Sequence, residues 1–95
     1  MKTEKWPVDQ LFLAADLLVE TDWKVPKATD PRVAALAATV GRTAGAVRWK
    51  LANLKTAHPQ FLGIPTHHTN TDQAVVAVFY EDLAGAKEIV KALKR

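Results

Sequence analysis

The sequence predicts an all-α domain of about four helices that contains a helix-turn-helix. Apolar residues recur at helical spacing in four segments, good N-capping residues precede three of them, and one glycine separates two short segments. Ninety-five residues are enough for one domain with a hydrophobic core of its own. We therefore assign residues 1–95 to a single helix-turn-helix domain.

The first predicted helix extends from about Pro7 to Glu20. Proline suits the first turn of a helix, and Asp9 favours its positive end. One face of this segment is apolar, and it consists of Leu11, Ala14, Ala15, Leu18 and Val19. Pro26 and Pro31 prevent the helix from continuing, and Trp23 to Val25 is a candidate for a short edge strand.

The second predicted helix has clear signals at both ends. Asp30 is a good N-cap, Pro31 fits the first helical position, and Gly41 can adopt the positive φ that often ends a helix. The residues expected to face the core are Val33, Leu36, Ala37 and Val40. A third helix follows so closely that the pair and its glycine turn form a helix-turn-helix.

The third helix, predicted over about residues 43–58, is the expected recognition helix of this pair. Thr43 caps it, and Pro59 ends it. At about 100° per residue, the stripe facing the core consists of Val47, Leu51 and Leu54. The opposite face carries Gly45, Trp49, Ala52 and Thr56, flanked by Arg48 and Asn53.

Residues 59–70 are predicted to be an irregular loop, with a reduced two-stranded wing as the alternative. A last helix is expected after this loop, because Asn70 and Thr71 are capping residues and Asp72 suits a first helical turn. We expect this helix to be bent or interrupted at Gly85. On composition alone Val75 to Tyr80 also fits a buried strand, which is the less favoured alternative.

The charges are unevenly distributed along the chain. No Asp or Glu occurs in the 41 positions from Pro31 to Thr71, which hold five of the thirteen basic residues. This acid-free window carries a charge of +5, and the rest of the chain about −2. A polyanion meets no repulsion at such a segment, and each phosphate contact releases condensed counterions. Double-stranded DNA is therefore the expected partner.

Other classes of protein find little support in the sequence. The absence of cysteine excludes disulfides and thiolate metal sites and fits a reducing cytoplasm, where we expect the protein to be located. No apolar stretch approaches the roughly 20 residues of a membrane span, and the first residues lack the apolar region of a signal peptide, so no membrane partner is expected.

Candidate catalytic groups are weak. His67, His68 and Asn70 lie in a proline-flanked loop without strands around it, and the adjacent Glu81 and Asp82 would point in different directions on a helix. His58 fits the negative end of the third helix better than it fits a metal site. We therefore expect no catalytic residue, no metal, no cofactor and no enzymatic activity in the chain by itself.

The segment VGRTAGAVRWKLANLKTAHP, residues 40–59, resembles the LGRTPxAVxxKLxNFxxLDP stretch of a helical accessory domain in bacterial HNH-type restriction endonucleases. The matching residues are Gly41, Arg42, Thr43, Ala46, Val47, Lys50, Leu51, Asn53 and Pro59. NTDQAVVAVFYE, residues 70–81, is similar to the family's NxSxxDxxVWxE. The resemblance implies a helix-turn-helix or winged-helix DNA-binding module beside a fused or associated HNH nuclease. In the modification-dependent enzymes, such a module would recognise modified bases.

The outward face of the third helix supplies the candidate contacts with DNA. Arg42 and Thr43 lie at its N-terminus, where free backbone N–H groups can bind phosphate. Arg48 can pair with guanine in the major groove, and Trp49 offers a flat surface for stacking or insertion. The full set of predicted DNA-binding residues is Arg42, Thr43, Gly45, Arg48, Trp49, Lys50, Ala52, Asn53 and Lys55.

The sequence is compatible with three interpretations of the protein's function. The first is a double-stranded DNA-binding module of the restriction-endonuclease type, which reads a sequence or a 5-modified cytosine in the major groove. The second is a small helix-turn-helix transcriptional regulator of phage or antitoxin type, which as a dimer would read a palindrome. The third is a helical protein-interaction domain, for which the acid-free window would be incidental.

Overall fold

The fold consists of five α-helices and one short 3₁₀ turn. A computed structural model describes residues 6–61 and 69–94. The elements are α1 (Val8–Glu20), α2 (Pro31–Val40), α3 (Ala44–Thr56), the 3₁₀ turn (Pro59–Phe61), α4 (Asn70–Glu81) and α5 (Leu83–Leu93). The described residues contain no strand, so the all-α prediction is confirmed. The number of helices is five rather than about four.

The centre of the fold is α1, which contacts each of the other four helices. Because neighbours surround it, α1 buries Phe12 and Leu17 in addition to the predicted apolar face, and the Phe12 ring lies 5.6 Å from that of Phe79 on α4. It also buries Asp16, whose carboxylate forms ion pairs with Lys87 and Lys94 near the C-terminal end of the chain. The apolar face predicted for the first helix therefore left out Phe12 and Leu17, which are also buried.

The helix-turn-helix formed by α2 and α3 follows its predicted caps. The Asp30 side chain accepts a 2.8 Å hydrogen bond from the Arg32 backbone N–H. Gly41 has a φ of 70°, and the backbone N–H groups of Gly41 and Arg42 both donate to the Ala37 carbonyl, which are the bonds of a left-handed glycine cap. The Thr43 hydroxyl accepts a 3.1 Å hydrogen bond from the Ala46 N–H, which caps α3.

The last predicted helix is two helices, and the break lies at Asp82 rather than at Gly85. Asp82 ends α4 through its N–H, which donates to the Val78 carbonyl, and starts α5 through its carboxylate, which accepts from the Gly85 N–H at 3.0 Å. Gly85 therefore lies inside α5. The helical prediction for Val75 to Tyr80 is confirmed.

The N-cap of α4 is Thr69, one residue before the predicted cap. Its hydroxyl accepts from the Asp72 N–H at 3.0 Å, and the Asp72 carboxylate accepts from the Thr69 N–H at 3.0 Å. This reciprocal pair is a capping box, which satisfies two backbone donors at once. The prediction that Asn70 and Thr71 cap the helix was wrong, because the box requires an acceptor three residues before Asp72.

Two predictions concern the connecting segments. The edge strand expected at Trp23 to Val25 is not present: Asp22 and Trp23 have φ values of 57° and 63°, which turn the chain sharply at the end of α1. The alternative of a wing between residues 59 and 70 falls largely on residues 62–68, outside the described residues, as do His67 and His68.

Candidate nucleic-acid interface

Four of the residues predicted for the outward face of α3 and its flanks are exposed, whereas Thr56, which was also predicted there, is half-buried. Val47, Leu51 and Leu54 are fully buried, whereas Gly45, Arg48, Trp49 and Ala52 are exposed on the opposite side. Trp49 is 55% exposed, the largest value among the large apolar side chains that the structure describes. We call Gly45, Arg48, Trp49 and Ala52 the outward face. No carboxylate occurs on it, and two of its four residues are small enough for a close approach of a ligand.

Lys50 and Asn53 do not belong to the outward face. Lys50 is 9% exposed, and its ammonium lies 3.3 and 3.5 Å from the two oxygens of Asp72, which is 1% exposed. Asn53 is 6% exposed and lies one turn further along the same side of α3. The prediction that Asn53 flanks the exposed face was wrong, because its side chain is buried on the side of α3 on which Lys50 contacts Asp72 of α4.

The start of α3 combines a helix cap with a stacked guanidinium. Thr43 is exposed, and its hydroxyl occupies the cap position in front of the first backbone N–H groups. The Arg42 guanidinium lies over the Trp6 ring, 4.5 Å from the ring centroid, in cation–π geometry. Trp6 therefore fixes where the charge of Arg42 lies. No helical periodicity could have indicated this contact, since Trp6 precedes α1.

Arg48 is tied to the segment that precedes α2. Its Nε–H donates a 2.8 Å hydrogen bond to the Pro26 carbonyl oxygen. A guanidinium has five N–H donors in a planar fork, so this bond uses one donor and leaves the charge at the surface. The contact orients Arg48, and it also attaches residues 21–30 to α3.

The basic residues of the acid-free window are not equivalent in space. The Arg32 guanidinium binds Asp30 at 2.9 Å and lowers the pKa of that carboxyl to about 2, and Lys50 is held by Asp72. Lys55 is half-buried near the end of α3. Arg32 and Lys50 are thus compensated by acids that lie just outside the window in the sequence. The count of charges along the chain overstates the basic surface.

An aromatic cluster adjoins the C-terminal end of α3. The His58 ring lies 4.6 Å from the Trp23 ring and 5.4 Å from the Tyr80 ring, between centroids. Its Nδ1 accepts a 3.1 Å hydrogen bond from the Gln60 N–H, and burial lowers the pKa of His58. His58 lies just past the C-terminal end of α3, where the sequence placed it, and burial favours its neutral ring over the charged one.

A second groove of the described surface lies elsewhere. It has a volume of about 490 Å³ and lies between α1, α2 and the end of α5, with Leu13, Leu17 and Leu36 among its lining residues. Its buried carboxylate, Asp16, is engaged by Lys87 and Lys94. Since its one buried charged group is already compensated, we favour the outward face of α3 as the candidate site.

Within residues 6–61 and 69–94, no group of three or more histidine, cysteine, aspartate or glutamate side chains is placed to hold a metal ion. None of the described helices is both long and apolar enough to cross a bilayer. Comparison with models of known protein families, with curated proteins and with solved structures finds no match to this chain.

Proposed function

We propose that this chain is a double-stranded DNA-binding domain that inserts α3 into the major groove. The observation that carries the proposal is the outward face of α3, which combines a solvent-exposed arginine and tryptophan with two small residues and no acid. This face belongs to the second helix of a helix-turn-helix, the position that contacts base edges in proteins of this class. A protein-interaction surface would not require the absence of carboxylates.

The proposed contacts follow from the geometry of the helix. The N-terminal end of α3, with Thr43 and Arg42, approaches backbone phosphate, where N–H groups and the helix dipole favour an anion. Gly45 and Ala52 allow the helix backbone to lie close to the bases. The terminal nitrogens of Arg48 can pair with O6 and N7 of guanine while Nε remains bonded to Pro26.

The proposed interface is smaller than the set of residues predicted from the sequence. Lys50 and Asn53 are excluded from it because both are buried, Lys50 against Asp72 of α4. Lys55, near the C-terminal end of α3, is assigned to a phosphate contact. The resemblance to restriction-endonuclease modules extends the proposal to an association with an HNH nuclease and to modified cytosine as the base that is read.

The proposal is tested by the salt dependence of duplex binding. Binding of a fluorescent duplex of random sequence should weaken log-linearly with salt, by at least about fortyfold between 50 and 200 mM, if three or more phosphates are contacted. Lys91→Ala, a charge removal on α5, which does not contact α3, is the matched control and should leave the slope unchanged. A flat salt response, or no binding at the lowest salt, contradicts the proposal.

A selection on random duplexes separates the two DNA-binding interpretations. A single non-symmetric site indicates a monomeric module of the restriction type. A palindrome with half-sites about one helical turn apart indicates a dimeric regulator instead, because the symmetry of the site mirrors that of the protein.

A further inference from the structure

The segment between α1 and α2 lies along one edge of the outward face of α3. Trp23 contacts the ring of His58, which lies just past the C-terminal end of α3. Three residues later, the Pro26 carbonyl accepts the 2.8 Å hydrogen bond from Arg48, in the middle of α3. Residues 23–26 are therefore held beside α3 at two points.

The side chains of this segment alternate between core and solvent. Trp23 and Val25 are half-buried and pack against the hydrophobic core, whereas Lys24 and Lys27 are exposed. The two lysines are consequently attached to a backbone that core contacts hold in place. Less conformational freedom is lost when such a segment binds a ligand than when a disordered loop does.

The direction in which the segment leaves α1 is imposed by its contacts. Asp22 and Trp23 adopt φ values of 57° and 63°, a region that residues other than glycine avoid because Cβ approaches the carbonyl oxygen. Such conformations persist where surrounding structure determines them. Here the Trp23 N–H donates to the Leu18 carbonyl at 2.6 Å, which turns the chain toward α3.

A helix with its side chains is about 10–12 Å across, and the major groove is about 12 Å wide. A helix seated in the groove fills it, so a segment beside the helix meets the sugar–phosphate backbone of the groove wall. We infer that Lys24 and Lys27 contact phosphates of the duplex on the Arg48 side of α3, and that Arg48 positions the segment that bears them.

This inference rests on the proposed function and extends it beyond the acid-free window, which does not include either lysine. The acids of the same segment lie at its two ends. Asp22 precedes Trp23, and Asp30 is compensated by Arg32. The stretch from residue 23 to residue 27 therefore carries two positive charges and no negative one.

The first test compares salt slopes. Lys24→Ala and Lys27→Ala should each reduce the slope of log affinity against log salt by about 0.9, the value for one phosphate contact, and the double variant by about twice that. Lys91→Ala should leave the slope at the wild-type value. A double variant with the wild-type slope would overturn the inference while leaving the DNA-binding proposal intact. Failure of the wild type to bind the duplex at low salt would contradict both the inference and the DNA-binding proposal.

The second test addresses the positioning by Arg48. Arg48→Met should weaken binding more in the wild type than in the Lys24→Ala/Lys27→Ala background, because only the former has phosphate contacts that depend on the attached segment. Equal fold-losses in the two backgrounds would show that Arg48 and the lysines act independently, and the positioning role would be rejected. Circular dichroism on each variant confirms that the helices are retained.

Discussion

The Lys50 ammonium of α3 and the Asp72 carboxylate of α4 form an ion pair at 3.3 Å, buried where the two helices meet. The same carboxylate accepts the Thr69 N–H and so completes the capping box of α4. Asp72 thus accepts a hydrogen bond at the N-terminus of α4 and also compensates the buried charge of Lys50 on α3. The pair fixes the orientation of α3, and with it the direction in which the outward face points.

Removing the acid from this pair should destabilise the fold strongly. Asp72→Ala leaves the Lys50 charge buried and the Thr69 N–H without its acceptor, and we expect a loss of about 3 kcal/mol in the free energy of unfolding. Lys50→Met should cost less, about 1–2 kcal/mol, since Asp72 keeps the helix N-terminus as a partner. Urea titrations at pH 7 measure both values. Equal losses, or an Asp72→Ala cost below about 1 kcal/mol, would contradict this account.

The Lys50 contact also marks the limit of what the sequence could predict about the site. Periodicity correctly separated Val47 and Leu51 from Trp49 and Gly45, because angles around one helix depend on that helix alone. It could not place Lys50, whose environment depends on a helix that begins twenty residues later. A count of charges along the chain cannot anticipate ion pairs between distant residues.

Some helix ends could likewise be predicted from the sequence, and one could not. Asp30, Gly41 and Thr43 were predictable because each acts on backbone groups within a few residues of itself. The break at Asp82 was missed because Gly85 is the more conspicuous helix breaker in the sequence. In the structure the glycine is needed for space, since a Cβ at residue 85 would lie 2.3 Å from the Asp82 carboxylate.

A substitution at Gly45 should affect duplex binding and the stability of the fold in opposite directions. It lies in the first turn of α3, is exposed, and a Cβ there would have only the Thr43 hydroxyl near it, at 4.0 Å. Gly45→Ala should therefore stabilise the fold by about 0.5 kcal/mol, because alanine loses less backbone entropy. If α3 lies against DNA as proposed, the same methyl group should weaken duplex binding several-fold. A variant that is more stable and binds equally well would argue against close approach at Gly45.

Gly85→Ala provides the contrasting control. The added methyl group would collide with the Asp82 side chain that caps α5, so this substitution should lower the free energy of unfolding. Its effect on duplex affinity should be absent at temperatures where the variant is folded, because α5 does not contact α3.

The His58 ring should make stability depend on pH. Burial between Trp23 and Tyr80 lowers the pKa of His58, so the unfolded chain, with the usual value of about 6.5, binds a proton more tightly than the folded chain. The contribution is fully present above about pH 6.5 and is progressively lost as pH falls from there to the folded-state pKa. Protonation also places a hydrogen on Nδ1, which removes the acceptor of the Gln60 N–H.

The measurement is the unfolding free energy in urea between pH 7.5 and pH 5, for the wild type and for His58→Phe. Phenylalanine keeps a ring between Trp23 and Tyr80 and does not titrate in this range. The wild type should lose more stability than the variant as the pH falls. Parallel pH profiles would show that His58 does not carry the effect.

The exposed Trp49 ring is the candidate for sensing a modified base. It lies beside Arg48 on the outward face, and its indole offers flat apolar area to a substituent in the major groove. The C5 substituent of cytosine projects into this groove, at the position of the thymine methyl group. Arg48 is then the cation nearest to an anionic or polar substituent, because Lys50 is bound to Asp72.

The comparison uses one duplex that carries cytosine, 5-methylcytosine, 5-hydroxymethylcytosine or 5-carboxylcytosine at a single position within the selected site. We expect the wild type to prefer one modified duplex, by about tenfold for an added apolar or stacking contact worth 1–1.5 kcal/mol. Trp49→Ala should abolish the preference, and Trp49→Phe should retain part of it, because a smaller ring still covers the substituent. Equal affinity of the wild type for all four duplexes would reject modification sensing by this domain. A preference that survives Trp49→Ala would instead move the sensing contact to Arg48, whose guanidinium would favour the carboxyl group through its charge.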